Sequence, residues 1–497
     1  MMKKYLIMGA IIAIVSVIAA QCGPAPTPET ITKVETVVIE KEVKVVETVE
    51  VEKEVEVKVA GETLQFWSTE VQPARAEKTK EILNRFEEQS GIHVELILTD
   101  ENALPELTTA AVAAGTLPDV MFHPIDFTIG WAEQGILDPA AAAAVIEKLG
   151  PETFAEGPLN LAQVEGGYAA IPTDGWGQII VYRADWFEAK GLEPPTSFEA
   201  IEAAAQALHD PANNIYGITA ATKAGEVFTQ QTFEHFALAN GCQLVNEAGE
   251  VMLNTPQCVE AVEFFTNLLR NYGPPGDQDV ASTRATYFAG QAGMVVWSPF
   301  ILDEMAGLRD NAFPSCPECA EDPAYLAKNS GIVPAFAGPS GAPAQYGQVS
   351  YMGIATNANV EVAQAFLEFW FNEGYLDWLS VSPEGKFPMR RGTPAEPTQF
   401  IDGWKELETG VDRKAKLGSI YGDEVINTLI EGAGRFDRWG FAQGQGALIT
   451  AVYEALPVPQ YLRETIDEVY TPEEAVEQMQ ADVEELAASL QEQVQLQ

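Results

Sequence analysis

The apolar positions that follow residue 60 switch between a period of two and a period near 3.6. Short apolar runs predict buried strands, and the segments between them place apolar residues three or four positions apart, as amphipathic helices do. One such helix carries Ile82, Leu83 and Phe86 on a single face. The elements predicted at the start of this region are a strand at Leu64–Trp67, a helix at Lys78–Glu88, a strand at His93–Leu98, a helix at Leu104–Ala114 and a strand at Asp119–Phe122.

This alternation of strands and helices predicts an α/β fold with a mostly parallel sheet and helices on both faces. Ligands of such sheets bind at the carboxyl ends of the strands. Here these ends carry Ser68–Glu70 and His123–Asp126. We therefore expect a functional site near these two segments.

The first residues have the pattern of an export signal. A basic start precedes an apolar run over residues 5–20, which is short for a bilayer span of roughly 20 residues. The run ends at Gln21-Cys22, which resembles a bacterial lipobox, where the cysteine is lipidated and becomes the new N-terminus. We expect a signal peptide at 1–21 and a lipid on Cys22. The alternative is a plain secreted protein with an ordinary cysteine.

Residues 22–60 have low sequence complexity. A Pro-rich start gives way to Val, Glu, Lys, Thr and Ile, and Glu40–Val45 returns in similar form as Glu52–Val57. The segment has no aromatic residue and no large apolar face, so we expect it to act as an unfolded tether. The high β-propensity of Val leaves an oligomerisation stalk as the alternative.

The charge of the chain is strongly negative, with 29 basic against 73 acidic side chains and a formal net charge of −44. Such a surface repels nucleic acid, whose binding needs a basic footprint. It also disfavours polyanionic substrates. The residues after 60 suffice for two domains of roughly 100–200 residues each. We expect a soluble body that binds no nucleic acid and meets the membrane only through the lipid anchor.

Four cysteines remain besides the lipidated one, and an even count in an exported chain indicates two disulfides. The sequence allows three pairings, of which we prefer the two that are closest along the chain, Cys242–Cys258 and Cys316–Cys319. The second pair also has the spacing of a redox CxxC motif, but no strand-to-helix context surrounds it. No second CxxC motif or nearby histidine completes a zinc site, so we expect no metal and no cofactor.

Several motifs follow one another in a specific order from Gly115 onward. They are Gly115–Val120, Trp131–Pro139, Tyr182–Phe187, Gly191–Glu199, Tyr287–Met294, Phe387–Arg391 and Thr471–Ala475. Together they resemble the family 1 extracellular solute-binding proteins, the maltose- and glycerophosphodiester-type receptors of bacterial ABC importers. The resemblance covers nearly everything from residue 61 onward.

The resemblance implies two α/β lobes joined by three crossing segments, with a ligand cleft between the lobes. We place the crossings near Pro172–Gly177, Trp297–Pro299 and Ser350–Gly353, where Gly or Pro lies close to an aromatic residue. The expected division is 61–173 plus 299–350 for lobe I, 174–298 plus 351–470 for lobe II, and a C-terminal amphipathic helix at 471–497.

A sugar presents apolar C–H faces that pack on flat rings and hydroxyls that need donors and acceptors. The candidate cleft residues are those that combine these properties where the resemblance puts the cleft. They are Glu70, His123, Asp126, Asp174, Trp176, Trp297, Phe300, Tyr351, Arg391, Arg435 and Trp439. Trp297 and His123 also fit a buried core, and Arg435 also fits a surface pair with Asp437. The resemblance puts a stacking tryptophan in the segment of Trp439.

The resemblance implies a monomeric receptor that is lipid-anchored to the outer face of the cytoplasmic membrane, at the cell surface or in the periplasm. It captures a sugar or polyol by lobe closure and delivers it to an ABC permease. No nucleophile motif, phosphate loop or zinc-protease motif indicates an enzyme. The many acidic residues leave open a carboxylate pair of a secreted glycosidase. A receptor of the same fold for a solute other than sugar and a structural surface protein on a stalk also remain open.

Overall fold

The computed structural model describes residues 62–496, and the side chains of 74, 102 and 492–496 are not described. The expected signal peptide at 1–21, the lipidated Cys22 and the tether at 22–60 lie outside the described residues. From Thr63 onward the chain is one compact unit. In the described part, no helix is both long and apolar enough to cross a membrane.

The strands lie in two principal sheets and two small hairpins. In chain order they are β1 Thr63–Ser68, β2 His93–Leu98, β3 Val120–Pro124, β4 Gln163–Val164, β5 Gly167–Tyr168, β6 Ile171–Gly177, β7 Ile179–Arg183, β8 Tyr216–Thr219, β9 Ala292–Trp297, β10 Ser330–Val333, β11 Gln345–Ile354, β12 Phe387–Pro388, β13 Glu408–Thr409, β14 Ala415–Lys416 and β15 Phe436–Asp437.

The helices cover the faces and ends of these sheets. They are α1 Pro73–Ser90, α2 Leu104–Ala114, α3 Ile125–Glu133, α4 Pro139–Leu149, α5 Glu156–Asn160, α6 Ala184–Lys190, α7 Phe198–Leu208, α8 Val227–Ala239, α9 Pro256–Tyr272, α10 Val280–Phe288, α11 Ile301–Met305, α12 Tyr325–Asn329, α13 Val360–Asn372, α14 Tyr375–Leu379, α15 Gln399–Trp404, α16 Leu417–Ala433, α17 Gly446–Ala455, α18 Pro457–Ile466 and α19 Pro472–Leu496.

The first sheet has the strand order β12-β6-β11-β3-β1-β2, with β15 paired to β11. Strands β1, β2 and β3 run parallel, as the alternation of elements predicts. Along β1, Leu64 and Phe66 are fully buried, because α1 and α13 cover the sheet. The second sheet has the order β10-β7-β9-β8, in which β8 and β9 are parallel.

A short connection joins the two sheets. Strand β6 ends at Gly177 and β7 begins at Ile179, so Gln178 alone carries the chain from the first sheet to the second. The first crossing therefore lies at the end of the expected segment. The second expectation, Trp297–Pro299, is corrected, because β9 before it and β10 after it both pair with β7 in the second sheet. The third expectation, Ser350–Gly353, is corrected, because this segment lies inside β11. The chain returns between Val333 and Gln345.

The expected lobe boundaries also need correction. Segment 299–350, assigned to lobe I, contributes β10 to the second sheet, where Val333 pairs with Ile180. Segment 351–470, assigned to lobe II, begins inside β11 of the first sheet and continues into α13. The ring of Phe366 in α13 lies 5.5 Å from Phe66, so this helix belongs to the core of the first lobe. Helix α19 lies where the C-terminal helix is expected and packs against α9, α17 and α18.

Two disulfides join the cysteine pairs that are closest along the chain. Cys242 is bonded to Cys258 and Cys316 to Cys319. The first bond closes a short hairpin, in which Val245 bridges Val251. All four cysteines are buried.

Candidate functional site

The carboxyl ends of the strands in the two sheets face each other and form the walls of a cleft. On the first-lobe side lie Glu70 after β1, Asp126 after β3, the end of β6 at Asp174–Trp176, and Lys386 just before β12. On the second-lobe side lie the ends of β8 and β9. Charged and aromatic side chains are thus brought together from segments that are far apart in sequence.

A buried charge cluster forms the floor of the first-lobe wall. The Nζ atom of Lys386 lies 2.7 Å from Oε1 of Glu70 and 3.0 Å from Oδ1 of Asp174. Arg75 adds an ion pair of 2.8 Å to the other oxygen of Glu70. The indole Nε1 of Trp378 donates to Oδ2 of Asp174 at 2.6 Å, and the Lys386 ammonium lies 4.3 Å from the Trp378 ring centroid.

The partners in this cluster hold each other in their charged forms. Burial alone would raise the pKa of Glu70, but Lys386 and Arg75 outweigh burial and hold the pKa at about 2. Burial alone would lower the pKa of Lys386, but Asp174 and Glu70 raise it above its ordinary value. At neutral pH the wall therefore presents one ammonium between two carboxylates.

Two half-buried aromatic rings lie beside the charge cluster. The ring centroids of Trp176 and Phe300 are 6.3 Å apart in an edge-on arrangement. A Cβ atom at position 385 would overlap the Phe300 ring, so the glycine next to Lys386 allows this ring to reach the first lobe. Trp176 at the end of β6 and Phe300 after β9 thus line the cleft from segments that are far apart in sequence, with flat surfaces suited to the C–H face of a sugar.

The second-lobe wall is built around Trp297, the last residue of β9. Its ring lies 4.7 Å from that of Phe228 on α8 and 5.8 Å from the guanidinium of Arg284 on α10. Arg284 forms an ion pair of 2.8 Å with Glu304 on α11. Burial raises the pKa of Glu304 to about 7, although Arg284 opposes the shift. This carboxyl can therefore donate as well as accept a hydrogen bond near neutral pH.

Several buried polar atoms of this wall have no hydrogen-bond partner in the described part of the chain. They are Oγ1 of Thr219 and Thr283, both amide atoms of Gln230, Oδ1 of Asp303 and Oε2 of Glu304. Thr219 ends β8, and Gln230 and Thr283 lie near the N-termini of α8 and α10, which belong to the same edge of the sheet. Buried polar atoms in folded proteins are nearly always paired. Their concentration here suits a ligand rich in hydroxyls.

A second network of polar side chains is centred on Gln348. Its amide donates to Asp126 at 3.0 Å, and its oxygen accepts from Arg438 at 2.5 Å. Arg438 is fully buried and also donates to Glu234 on α8 at 3.2 Å. These hydrogen bonds link the end of β3 to the second lobe, and Asp126 stays half-buried at the cleft surface.

The cleft geometry agrees with what comparison of the sequence shows. The family described as bacterial extracellular solute-binding protein matches residues 71–376. The chain belongs to this family.

Sequence relatives are named as binding proteins, and a structural neighbour holds maltose. The Escherichia coli (strain K12) protein YcjN, provisionally named an ABC transporter periplasmic-binding protein, is 27% identical over 401 residues, which are 79% of this chain and 87% of YcjN. The mannitol-binding protein of Pseudomonas aeruginosa is 28% identical over 197 residues, or 38% of this chain and 44% of that protein. Maltose-bound MalE3 of T. maritima is similar in structure, with a TM-score of 0.59, 20% identity and coverage of 86% of this chain and all of MalE3.

Within this solute-binding fold, the predicted residues that the structure brings to the cleft are Glu70, Asp126, Asp174, Trp176, Trp297 and Phe300. Trp297 is only 4% exposed, so it supports the second-lobe wall more than it covers it. The sequence prediction missed Lys386, Gln230 and Arg438. A signal for Lys386 was its place directly before the Phe387–Arg391 motif.

Three predicted residues are corrected to the core. His123 is fully buried between Trp131 and Tyr351, its Nδ1 lies 3.1 Å from the Pro124 carbonyl, and burial lowers its pKa to about 4. Tyr351 is fully buried and donates to the Pro158 carbonyl. Both face away from the cleft because side chains alternate along β3 and β11.

Trp439 is also enclosed by the protein. Its backbone amide donates to Glu234 and its indole to the Cys242 carbonyl, both at 2.8 Å. Only 1% of its surface is exposed. Arg391 and Arg435 are brought together, but at a separate pocket beside α5 and the end of α16. In the described part, no group of His, Cys, Asp and Glu side chains is arranged to hold a metal ion.

Proposed function

We propose that this chain is the substrate-binding lipoprotein of an ABC importer. It captures a neutral carbohydrate or related polyol between its two lobes and passes it unchanged to a membrane permease. The observation that carries this proposal is the composition of the two walls. Trp176 and Phe300 offer flat apolar surfaces, and the facing wall holds buried polar atoms that have no partner in the described part of the protein.

The charges at the cleft favour a neutral ligand. Each basic side chain there already has a carboxylate partner. The pairs are Lys386 with Glu70 and Asp174, Arg75 with Glu70, Arg284 with Glu304, and Arg438 with Glu234. An anionic ligand would have to compete with these carboxylates, whereas hydroxyl groups can donate to carboxylates and accept from the amide of Gln230.

The relatives support the same ligand class. One is named for binding mannitol, a polyol, and another holds maltose, a disaccharide. Ligand that contacts both walls stabilises the closed arrangement of the lobes relative to the open one, so binding shifts the population toward closure. The closed protein then docks as a monomer on the permease. A lipid on Cys22 holds it at the outer face of the cytoplasmic membrane.

A thermal-shift screen of sugars and polyols tests the ligand class. A ligand at about 100 times Kd stabilises the folded state by about 2.7 kcal/mol. For the roughly 435 described residues, an unfolding entropy of about 2.1 cal/mol/K per residue converts this into an upward shift of about 3 °C. Maltose, mannitol and a set of monosaccharides form the first panel.

Trp176→Ala should abolish the shift while leaving the unliganded melting temperature near that of the wild type. Trp186→Ala is the matched control, since Trp186 is also half-buried but packs on Arg183 away from the cleft. Product formation from any glycoside tested would contradict a receptor that leaves its ligand unchanged. Full retention of the shift in Trp176→Ala would contradict the assigned cleft surface.

A further inference from the structure

A second concave surface lies apart from the cleft, where the end of α16 meets the segment that precedes β6. Its volume is about 580 Å³, within the range of small-molecule sites. Two rings line it, from Phe154 and Tyr168. The charged side chains that line it are the carboxylates of Glu152, Glu156 and Glu431 and the guanidinium groups of Arg391 and Arg435. Arg391 and Arg435 were expected in the cleft, but none of the residues that the structure brings to the cleft lines this pocket.

The two arginines differ from every other arginine of the protein. The chain has twelve arginines, all of them in the described part. Ten have a side-chain hydrogen bond or ion pair with a protein group. Within residues 62–496, the guanidinium groups of Arg391 and Arg435 have neither, and both line the same pocket. In a chain with 73 acidic side chains, protein partners are plentiful. Arg391 is half-buried and Arg435 is exposed, so both guanidinium groups are open to an acceptor from outside the chain.

The backbone holds both arginines in place. The amide of Arg391 donates to the Thr153 carbonyl at 2.7 Å, and its own carbonyl accepts from Phe400 at 3.0 Å. The Gly434 carbonyl accepts from the Gly157 amide at 3.2 Å, which fixes the loop that carries Arg435 against α5. A Cβ atom at position 434 would lie 2.8 Å from Nη2 of Arg391, so glycine leaves room for this guanidinium over the pocket.

We propose that this pocket is a second binding site, for a small sugar acid that carries one carboxylate. Guanidinium groups bind carboxylates through two parallel hydrogen bonds, a geometry that a hydroxyl cannot match. The carboxylates of Glu152 and Glu431 accept from the ligand's hydroxyls, and the rings of Tyr168 and Phe154 pack on its C–H face. The same glutamates disfavour a dianion such as a phosphate ester.

The negative charge of the whole protein does not exclude a monoanion here. Charges elsewhere on the surface are screened over about 8 Å at physiological ionic strength, so binding depends on the pocket's own two guanidinium groups and three carboxylates. A monoanion binds with its charge against the two arginines and its hydroxyls toward the glutamates. The site differs from the cleft, where every basic group has a carboxylate partner and a neutral ligand is favoured. The cleft therefore favours a neutral sugar or polyol, and the second pocket favours a sugar acid.

Isothermal titration of the exported body with D-glucuronate tests the site, with D-glucuronamide as the neutral analogue of the same shape. We expect D-glucuronate to bind at least about tenfold more tightly than the amide, the ratio that corresponds to one strong interaction. Arg391→Gln and Arg435→Gln should each weaken D-glucuronate by about tenfold or more. The affinity of Arg435→Lys for D-glucuronate should lie between those of the wild type and Arg435→Gln, because lysine keeps the charge but lacks the planar guanidinium group.

Two controls separate this site from the cleft and from general electrostatics. Arg85→Gln removes an exposed arginine of α1 that pairs with Asp377, and it should leave the D-glucuronate affinity unchanged. Trp176→Ala in the cleft should also leave it unchanged. The proposal is overturned if D-glucuronate does not bind, if the Arg391→Gln/Arg435→Gln double variant binds it as the wild type does, or if Trp176→Ala abolishes its binding.

Discussion

Replacing Lys386 by methionine should destabilise the protein through charge and leave packing nearly intact. Methionine keeps the length of the lysine stem that lies over the Trp378 ring. It removes the ammonium that lies 2.7 Å from Glu70 and 3.0 Å from Asp174, both almost fully buried. Removing one partner of a buried ion pair costs about 3–5 kcal/mol, since the remaining charge is left uncompensated.

The pKa of Glu70 gives an independent magnitude. It is lowered from 4.5 to about 2, and at about 1.36 kcal/mol per unit this corresponds to roughly 3 kcal/mol of stability. Because the folded-state pKa is depressed, this stability is fully present above pH 4.5 and is lost as the pH falls toward 2. Lys386 supplies only part of it, since Arg75 still pairs with Glu70 in the variant.

The pH dependence separates charge from packing. Without Lys386 the pKa of Glu70 rises, so in the variant this carboxyl takes up a proton at a higher pH and relieves its own cost. The stability difference between wild type and Lys386→Met should therefore be largest at pH 7 and shrink clearly by pH 4. Urea denaturation followed by tryptophan fluorescence at both pH values measures it.

The matched control is Lys405→Met, which removes a half-buried lysine that pairs with the exposed carboxylates of Asp402 and Asp423. It should unfold at nearly the wild-type urea concentration at both pH values, because exposed ion pairs contribute little. An equal loss for Lys386→Met at pH 7 and pH 4 would refute the reasoning. That result would mean that the stem packing over Trp378, and not the ammonium, stabilises the fold.

Three further substitutions test other parts of the structure. Trp439→Ala should lower the free energy of unfolding by about 3–5 kcal/mol in urea denaturation, as for other buried tryptophans, and the folded variant should keep its sugar affinity. A loss of affinity without a loss of stability would show that this ring lines the cleft. Cys22→Ala should move the protein from the membrane fraction to the soluble fraction on cell fractionation, and retention in the membrane would place the anchor elsewhere. Replacing Cys242 and Cys258 by alanine should lower stability by about 3 kcal/mol, the chain-entropy value for a loop of 16 residues, and an unchanged midpoint of denaturation would argue against that bond.

Local pattern was sufficient for the individual elements at the start of the body. The predicted helix at Leu104–Ala114 and strand at His93–Leu98 have the predicted bounds, because periodicity and glycine or proline boundaries are local properties. The ordered motifs were sufficient for the two-lobe fold. They did not fix the lobe boundaries, since a strand such as β10 or β11 is assigned to a sheet only by its pairing with distant segments.

The cleft residues also divide into those that the sequence predicts and those that only the packing of distant segments brings to the site. Glu70, Asp174 and Trp176 could be placed at the site because they lie at carboxyl ends of strands or in the first crossing, positions that a parallel sheet brings to one edge. Lys386 could not, because it reaches Glu70 across more than three hundred residues of sequence. His123 and Tyr351 lie within β3 and β11, and packing of distant segments encloses both side chains completely.

The sequence by itself determined the class of fold, the family, the polar and aromatic character of the cleft and the local cysteine pairs. Each of these depends on residue type, short-range spacing or the order of motifs along the chain. The tertiary structure alone decided which tryptophans are enclosed, which carboxylates share Lys386, and that Arg391 and Arg435 form a pocket away from the cleft. These properties depend on which distant segments pack together, because burial and ion pairing arise from the three-dimensional neighbours of a residue.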